Sequence, residues 1–232
     1  MPIHEYKNWN TRQSDNNVQI EPYRKYFIIC EGANTEVFYF EKLIDLRKEL
    51  GIHPLIDIRL LEKTEKDRNI SFPKNLFKFA QNIKEDKELF DIDQDKLIIV
   101  FDGDIFEEKV SGYEELISDI EENDIAAVSN PNFELFLCLH IDGFYKNYIK
   151  GKESKFLEKD NKNRYSYAEK LLKDLRNINP KKNPKIGDLA SNIGVAIIQE
   201  KRINQDIHNI KGKVSSNIAS IIDMIIKENP KI

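Results

Sequence analysis

The sequence predicts an α/β protein: a mostly parallel sheet of about four strands flanked by helices, followed by a helical, basic C-terminal part. Three observations predict it. Short apolar runs alternate with longer segments of helical periodicity up to about residue 130. Two of those runs, Tyr26-Phe27-Ile28-Ile29-Cys30 and Leu97-Ile98-Ile99-Val100-Phe101, are apolar throughout, as parallel strands covered on both faces are. Beyond that point the remainder is mainly helical in pattern.

The elements follow in order. Residues 1–22 are polar and rich in Asn and Gln, and are expected to form a flexible N-terminal segment. Lys25 to Cys30 is the first strand. Asn34-Thr35 opens a helix with apolar positions from Val37 to Leu50, and Gly51 stops it. The alternation from Leu55 to Leu61 predicts a second strand, and Ser71-Phe72-Pro73 opens a helix running to about Asp86. Lys96 to Phe101 is the third and most apolar strand. Gly112 to about Asn123 reads as an acidic helix, and Ile125 to Val128 as a fourth strand ended by Ser129-Asn130-Pro131.

Pro131 suits the first turn of a helix, where its missing N–H costs nothing. Phe133 to Ile141 then continues as an apolar helix. Tyr165–Ile178, Leu189–Ile203 and Ile218–Ile226 are further helical segments, with Asn183-Pro184-Lys185 as a breaker between the first two. The expected division is a core over 23–142 and a helical region over 143–232, packed on the core or extending it.

Composition narrows the class. A third of the residues are charged and the apolar share is ordinary, so a globular protein with a heavily charged surface is expected. No run approaches the roughly 20 apolar residues that span a bilayer, so no membrane partner is expected. Cys30 and Cys138 both sit in apolar runs, which suggests buried thiols and a cytoplasmic location. The formal net charge of −4 argues against a generic nucleic-acid binder, but its distribution is uneven. Asp86 to Asp124 holds fifteen acids against three basic residues, and Tyr145 to Lys185 holds thirteen basic residues against five acids. A polyanion docking on the second stretch, with cations neutralising the first, would use that asymmetry. As separate charges, both stretches are ordinary solvated surface.

The acids at strand ends carry the chemistry. Glu31-Gly32 follows the first strand and Asp102-Gly103-Asp104 the third, at the tips where open α/β sheets bind ligands. Alternating residues point the same way, so Asp102 and Asp104 can converge on one cation. A hard divalent ion takes one or two such carboxylates together with water and phosphate oxygens. Glu31 would be a metal ligand or a general acid/base. Glu36 has a plainer use near a helix N-terminus, opposing its positive end. Glu134, one turn into the helix after Ser129-Asn130-Pro131, is either a further acid of the site or a dipole-stabilised surface acid. His140 closes an apolar helix and reads as a structural histidine. With four His and two separated Cys, no zinc cluster is spelled out.

Taken together, Ile29-Cys30-Glu31-Gly32 with Thr35-Glu36 and Tyr39-Phe40, then Phe101-Asp102-Gly103-Asp104, then Ser129-Asn130-Pro131-Asn132-Phe133-Glu134-Leu135 to Leu139-His140, resemble the RloB family. That family comprises prokaryotic Toprim-like proteins associated with mobile and antiphage-defence loci. The similarity is dense over Lys25 to His140 and thin afterwards. It implies a Toprim-like core with Glu31 as the acid/base or metal glutamate, Asp102 and Asp104 as Mg²⁺ (or Mn²⁺) ligands, and Glu134 in a family motif. Many Toprim proteins carry a Gly soon after the Asp-x-Asp. Ile105-Phe106-Glu107-Glu108 stands here instead, which turns the expectation from topoisomerase or primase chemistry toward a nuclease.

The leading expectation is a metal-dependent nuclease cleaving RNA or DNA, an effector of antiphage defence. Lys146, Lys150, Lys152, Arg164, Lys181 and Lys182 would track the nucleic-acid backbone, with Tyr148, Tyr165 and Tyr167 interleaved. An ATPase partner and self-association are the protein partners considered. The alternative is a non-catalytic nucleic-acid-binding or regulatory protein of the same fold. A phosphohydrolase with Asp102 as nucleophile also fits Asp-x-Asp, but leaves the Glu31 segment without a role.

Overall fold

The computed structural model describes residues 4–6, 22–63, 73–103, 110–158 and 165–230. Its centre is a six-stranded sheet in the order β1-β3-β2-β4-β5-β6. The strands are β1 (His4–Tyr6), β2 (Arg24–Cys30), β3 (Ile56–Glu62), β4 (Lys96–Asp102), β5 (Ile125–Asn130) and β6 (Ser215–Ser216). The four expected strands are the inner four and run parallel. A short antiparallel strand closes each edge: β1 beside β3, and β6 beside β5. Neither was visible as a pattern, because two- and three-residue strands carry no periodicity.

The helices are α1 (Thr35–Asp45), α2 (Pro73–Gln81), α3 (Val110–Glu121), α4 (Phe133–Cys138), α5 (Glu153–Leu157), α6 (Tyr167–Arg176), α7 (Ile193–Glu200) and α8 (Ile218–Lys227). Alternating strand residues separate into two cores. Ile28, Cys30, Ile98 and Val100 face a large cluster with α1, α4 and the C-terminal helices. Phe27, Ile29, Leu97, Ile99 and Phe101 face a smaller one with α2, α3 and the loop residues Ile207 and Ile210. The C-terminal region shares the first core: Phe144, Phe156, Leu172, Ile186, Ala196 and Ile222 are all buried in it. Each of the larger of these side chains contributes roughly 1.5–3 kcal/mol of burial.

Two expectations differ at prolines. Pro131 stands outside α4, after a cis peptide with Asn130, and Asn132 is the cap whose side chain accepts from Leu135 N–H. Pro184 does not break the chain. It opens a 3₁₀ segment, Pro184–Asn192, with the Asn183 side chain accepting from Lys185 N–H. Pro at a first turn loses no bond, so a proline after a good capping residue starts a helical segment as readily as it ends one.

Buried acids hold the opposite, N-terminal edge of the sheet. Asp95 accepts from Lys25 N–H at 2.7 Å, and Asp124 accepts from Leu97 N–H at 3.0 Å while pairing with Lys84 at 2.6 Å. Both belong to the acidic stretch of the sequence, so part of its charge is structural and lies away from the strand tips.

Glu200 anchors the C-terminal helices. Fully buried at the end of α7, it accepts from Ser216 Oγ at 2.6 Å and from the N–H groups of Ala219 and Ser220 at 2.9 and 2.7 Å. Those two amides belong to the first turn of α8, where no intrahelical acceptor exists. Asn217 extends the sheet beside it, accepting from Val128 N–H and donating to Ala126 C=O, both at 2.8 Å. Replacing Glu200 by Ala leaves these donors buried without acceptors. Urea unfolding of Glu200→Ala is expected to show a stability loss of about 3 kcal/mol.

Candidate functional site at the strand tips

Parallel register brings the tips of β2, β4 and β5 level. Cys30 lies opposite Val100, and Asp102 opposite Ser129. The ladder continues past the strands, with Glu31 N–H donating to Val100 C=O at 2.9 Å and Gly103 N–H to Ser129 C=O at 2.8 Å. Glu31 and Asp102 are thereby neighbours: a Glu31 carboxylate oxygen accepts from Asp102 N–H at 3.2 Å. Asp102 Oδ1 in turn accepts from the N–H of Phe133, the first residue of α4, at 2.8 Å. Both carboxylates are oriented by backbone donors from an adjacent element, which leaves their direction little freedom.

More charge lies around this pair than the sequence suggested. Glu134 is buried on α4. Burial first, then the carboxylates of Glu169 and Glu36, push it up to about 7, against the pull of its own backbone N–H and of Lys181. Glu36 is half-buried as a residue, yet its carboxylate is packed on Gly32, where a Cβ would come within 2.1 Å of it. Burial also raises Glu36 above the ordinary carboxylate range, opposed by its own N–H, by Lys63 and by Gly32 N–H.

Two lysines answer the acids. Lys63 donates to the Glu31 carbonyl, and burial lowers its pKa while nearby Cys30, Glu36 and Glu31 oppose that shift. Lys181 pairs with Glu169 at 2.6 Å. Burial acts to lower Lys181, but Glu169, Glu134 and Asp102 outweigh it and hold the ammonium above its usual value.

The Lys181 loop is fastened to the site from both sides. Thr35 Oγ donates to Pro180 C=O at 3.2 Å, and Asn34 Nδ2 to Lys181 C=O at 3.4 Å. Glu169 is fixed by the capping box of α6, in which Ser166 Oγ accepts from Glu169 N–H and the Glu169 carboxylate accepts from Ser166 N–H. Asn132 Nδ2 donates to Ser166 Oγ at 2.8 Å, locking that cap to the turn before α4.

Of the residues singled out by sequence, Glu31 and Asp102 are neighbours at this edge, and Glu134 follows Phe133, whose N–H holds Asp102. Asp104 and Arg164 lie outside the described residues. Lys181 is exposed and pairs with Glu169 beside the acids, and Lys146, Lys150, Lys152 and Lys182 are exposed as well. His140 is structural, as expected. Its Nδ1 faces the Phe136 carbonyl at 3.1 Å and so carries the proton, and Nε2 accepts from Tyr39 O–H at 2.9 Å. Burial lowers it to about 4, so it is neutral at physiological pH. Cys30 and Cys138 are buried thiols, pushed well up by burial and therefore unreactive.

The sequence reading missed Lys63, Glu36 and Glu169 as members of the site. Ser166-x-x-Glu169 was readable as a capping box, but nothing local says that Asn132 holds it beside Glu134. Among the described residues, no group of three or more His, Cys, Asp or Glu side chains is close enough to hold a metal ion. Glu31 and Asp102 are nevertheless a hard-oxygen pair at one tip, and Mg²⁺ typically takes one or two protein carboxylates. The donor chemistry fits that ion.

The raised Glu134 pKa has a consequence for stability. Its folded value of about 7 exceeds the ordinary 4.5, so the carboxyl prefers its proton in the folded state. Its favourable share of stability is complete below about pH 4.5 and is lost as pH rises through about 7. Glu134→Gln removes that dependence. Without divalent ions, the stability of Glu134→Gln relative to the parent is expected to rise by a few kcal/mol between pH 5 and pH 8, read by urea unfolding at each pH.

No curated protein and no solved structure matches the chain. A family model described as RloB-like protein matches residues 26–228, a span that runs from the first inner strand to the end of the last helix and takes in every site residue named above. The chain belongs to the RloB-like family.

Proposed function

We propose that the protein is a Mg²⁺- or Mn²⁺-dependent phosphodiesterase of Toprim type that cleaves RNA or DNA, acting as an effector of antiphage defence. The observation that carries the reading is the pairing of Glu31 and Asp102 at adjacent parallel strand tips, each carboxylate oriented by a backbone N–H. Acids gathered in this way repel one another, and a cation between them and a phosphate relieves that repulsion.

Each residue then has a task. Glu31 and Asp102, with Asp104, would hold the ion. The bound ion would supply Lewis-acid stabilisation of charge on the phosphate oxygens. Phe133 N–H keeps one Asp102 oxygen turned toward α4. As an alternative to ligating the ion, Glu31, which accepts from Asp102 N–H, would take a proton from an attacking water. Glu134 keeps a proton to about neutral pH, the state suited to protonating a leaving oxygen. Lys181, fixed by Glu169, brings positive charge to a site that otherwise repels a polyanion. No membrane element is part of this reading: among the described residues, no helix is long and apolar enough to cross a bilayer.

The test is cleavage of labelled RNA and DNA with and without added Mg²⁺ or Mn²⁺. Asp102→Asn and Glu31→Gln are each expected to lower the metal-dependent rate by about 10²–10⁴. Undiminished cleavage in both variants would discard the assignment. Metal-independent binding without cleavage of any substrate would point to the non-catalytic reading.

A further inference from the structure

Resting on that reading, we infer that the turn Ile210-Lys211-Gly212-Lys213 is a preformed grip for the phosphate backbone of a nucleic acid, placed beside the strand tips on the sheet face opposite Lys181.

The turn is built for position. Lys213 N–H donates to Ile210 C=O at 2.9 Å, and Gly212 takes a positive φ of 67° in its third place. Asn130, the last residue of β5, donates from one Nδ2 to both ends of the turn: Ile210 C=O at 3.0 Å and Lys213 C=O at 2.8 Å. Ile210 is buried in the core beneath the sheet with Phe101. Gly103, next to Asp102, has no room for a side chain there: a Cβ would come within 2.8 Å of Asn130 Cβ and 2.9 Å of Ile210 Cδ1. The turn therefore lies directly against the end of the strand that carries Asp102.

The loop leading into it is equally fastened. Tyr113 O–H donates to Ile207 C=O at 2.7 Å. Asn204 Nδ2 donates to Asp206 C=O, Asn209 C=O and Ser215 Oγ at 2.8–3.0 Å. Tyr113 from α3, Asn130 from β5 and the loop's own Asn204 thus hold a segment that runs over the surface. What this segment presents to solvent is charge: Lys201, Arg202, Lys211 and Lys213 are exposed, against the single acid Asp206. His208 is engaged elsewhere, pairing with Glu121 at 2.8 Å. A turn that only needed to close the chain would require neither two lysines nor a double clamp from a buried asparagine.

The two faces complement each other. Asp102 points to the α4 side, where Lys181 sits, and Gly103 to the α3 side, where the turn sits. A backbone crossing the edge of the sheet meets a lysine before the acidic pair and two after it. Ammonium groups held as point charges suit phosphates without regard to base, so the grip is sequence-independent.

The experiment uses the full chain carrying Asp102→Asn, to prevent cleavage, and fluorescence anisotropy with labelled single-stranded RNA and DNA of one sequence over a salt series. Adding Lys211→Ala and Lys213→Ala together is expected to weaken binding roughly tenfold at 0.1 M salt and to flatten the slope of log K against log salt by about 1.4. Lys48→Ala, an exposed lysine beyond the far end of α1, is expected to change neither. The two arms separate RNA from DNA as the source of the phosphates. An unchanged slope and affinity in the double variant, with its thermal midpoint kept, would overturn the inference. The same chain without Asp102→Asn reports separately on the enzyme: metal-dependent cleavage with an unaltered KM in the double lysine variant overturns the grip and leaves the nuclease standing. Absence of both binding and cleavage in the parent overturns both.

Discussion

The parallel register of β2, β4 and β5 is the constraint on which everything else hangs. A shift of β4 by one residue would turn Asp102 to the other face and bury Gly103 where Asp102 now stands. That register is enforced by apolar side chains on two faces at once, since Val100 packs above and Phe101 below. It is enforced again at the tip, by Gly103 N–H on Ser129 and by Phe133 N–H on Asp102. Burial far down the strands thus sets the position of two carboxylates at their ends.

Around that pair the molecule concentrates cost. Carboxyl groups at Glu36 and Glu134 are drawn out of water and toward one another, and both respond by holding protons more tightly. Other buried acids are hydrogen-bonded or paired in place. Asp95, Asp124 and Glu200 each face backbone donors or a lysine and are satisfied where they stand. Glu134 instead has the carboxylates of Glu169 and Glu36 close by, next to the edge that carries Glu31 and Asp102.

The inner strands were legible because their apolar runs are long and uninterrupted, and Glu31 and Asp102 were legible because they end those runs. Glu134 is visible as an acid but not as a buried one, and Glu169 comes close to it because Asn132 bonds Ser166 at the start of α6. Lys181 belongs to a basic stretch of the sequence, and its setting follows from Thr35 and Asn34 reaching across to its loop. The role of the Ile210–Lys213 turn was out of reach for the same reason. Its anchor, Asn130, lies eighty residues upstream, and a Lys-Gly-Lys turn has no periodicity to announce it. Contacts between neighbours in sequence left a pattern; contacts between distant hydrogen-bonding side chains left none.

The closing of β5 by residues 215–217 has a further consequence for the order in which the chain is made. Synthesis delivers β2, β3, β4 and β5 first, and the outer side of β5 is then an open row of amides and carbonyls. Asn217 and β6 cover it only after a long helical stretch has been added. Throughout that interval a nascent chain carries a sticky edge and, beside it, strand tips that lack both of their flanking lysine elements. The protein is thus most prone to associate wrongly in that window of its production.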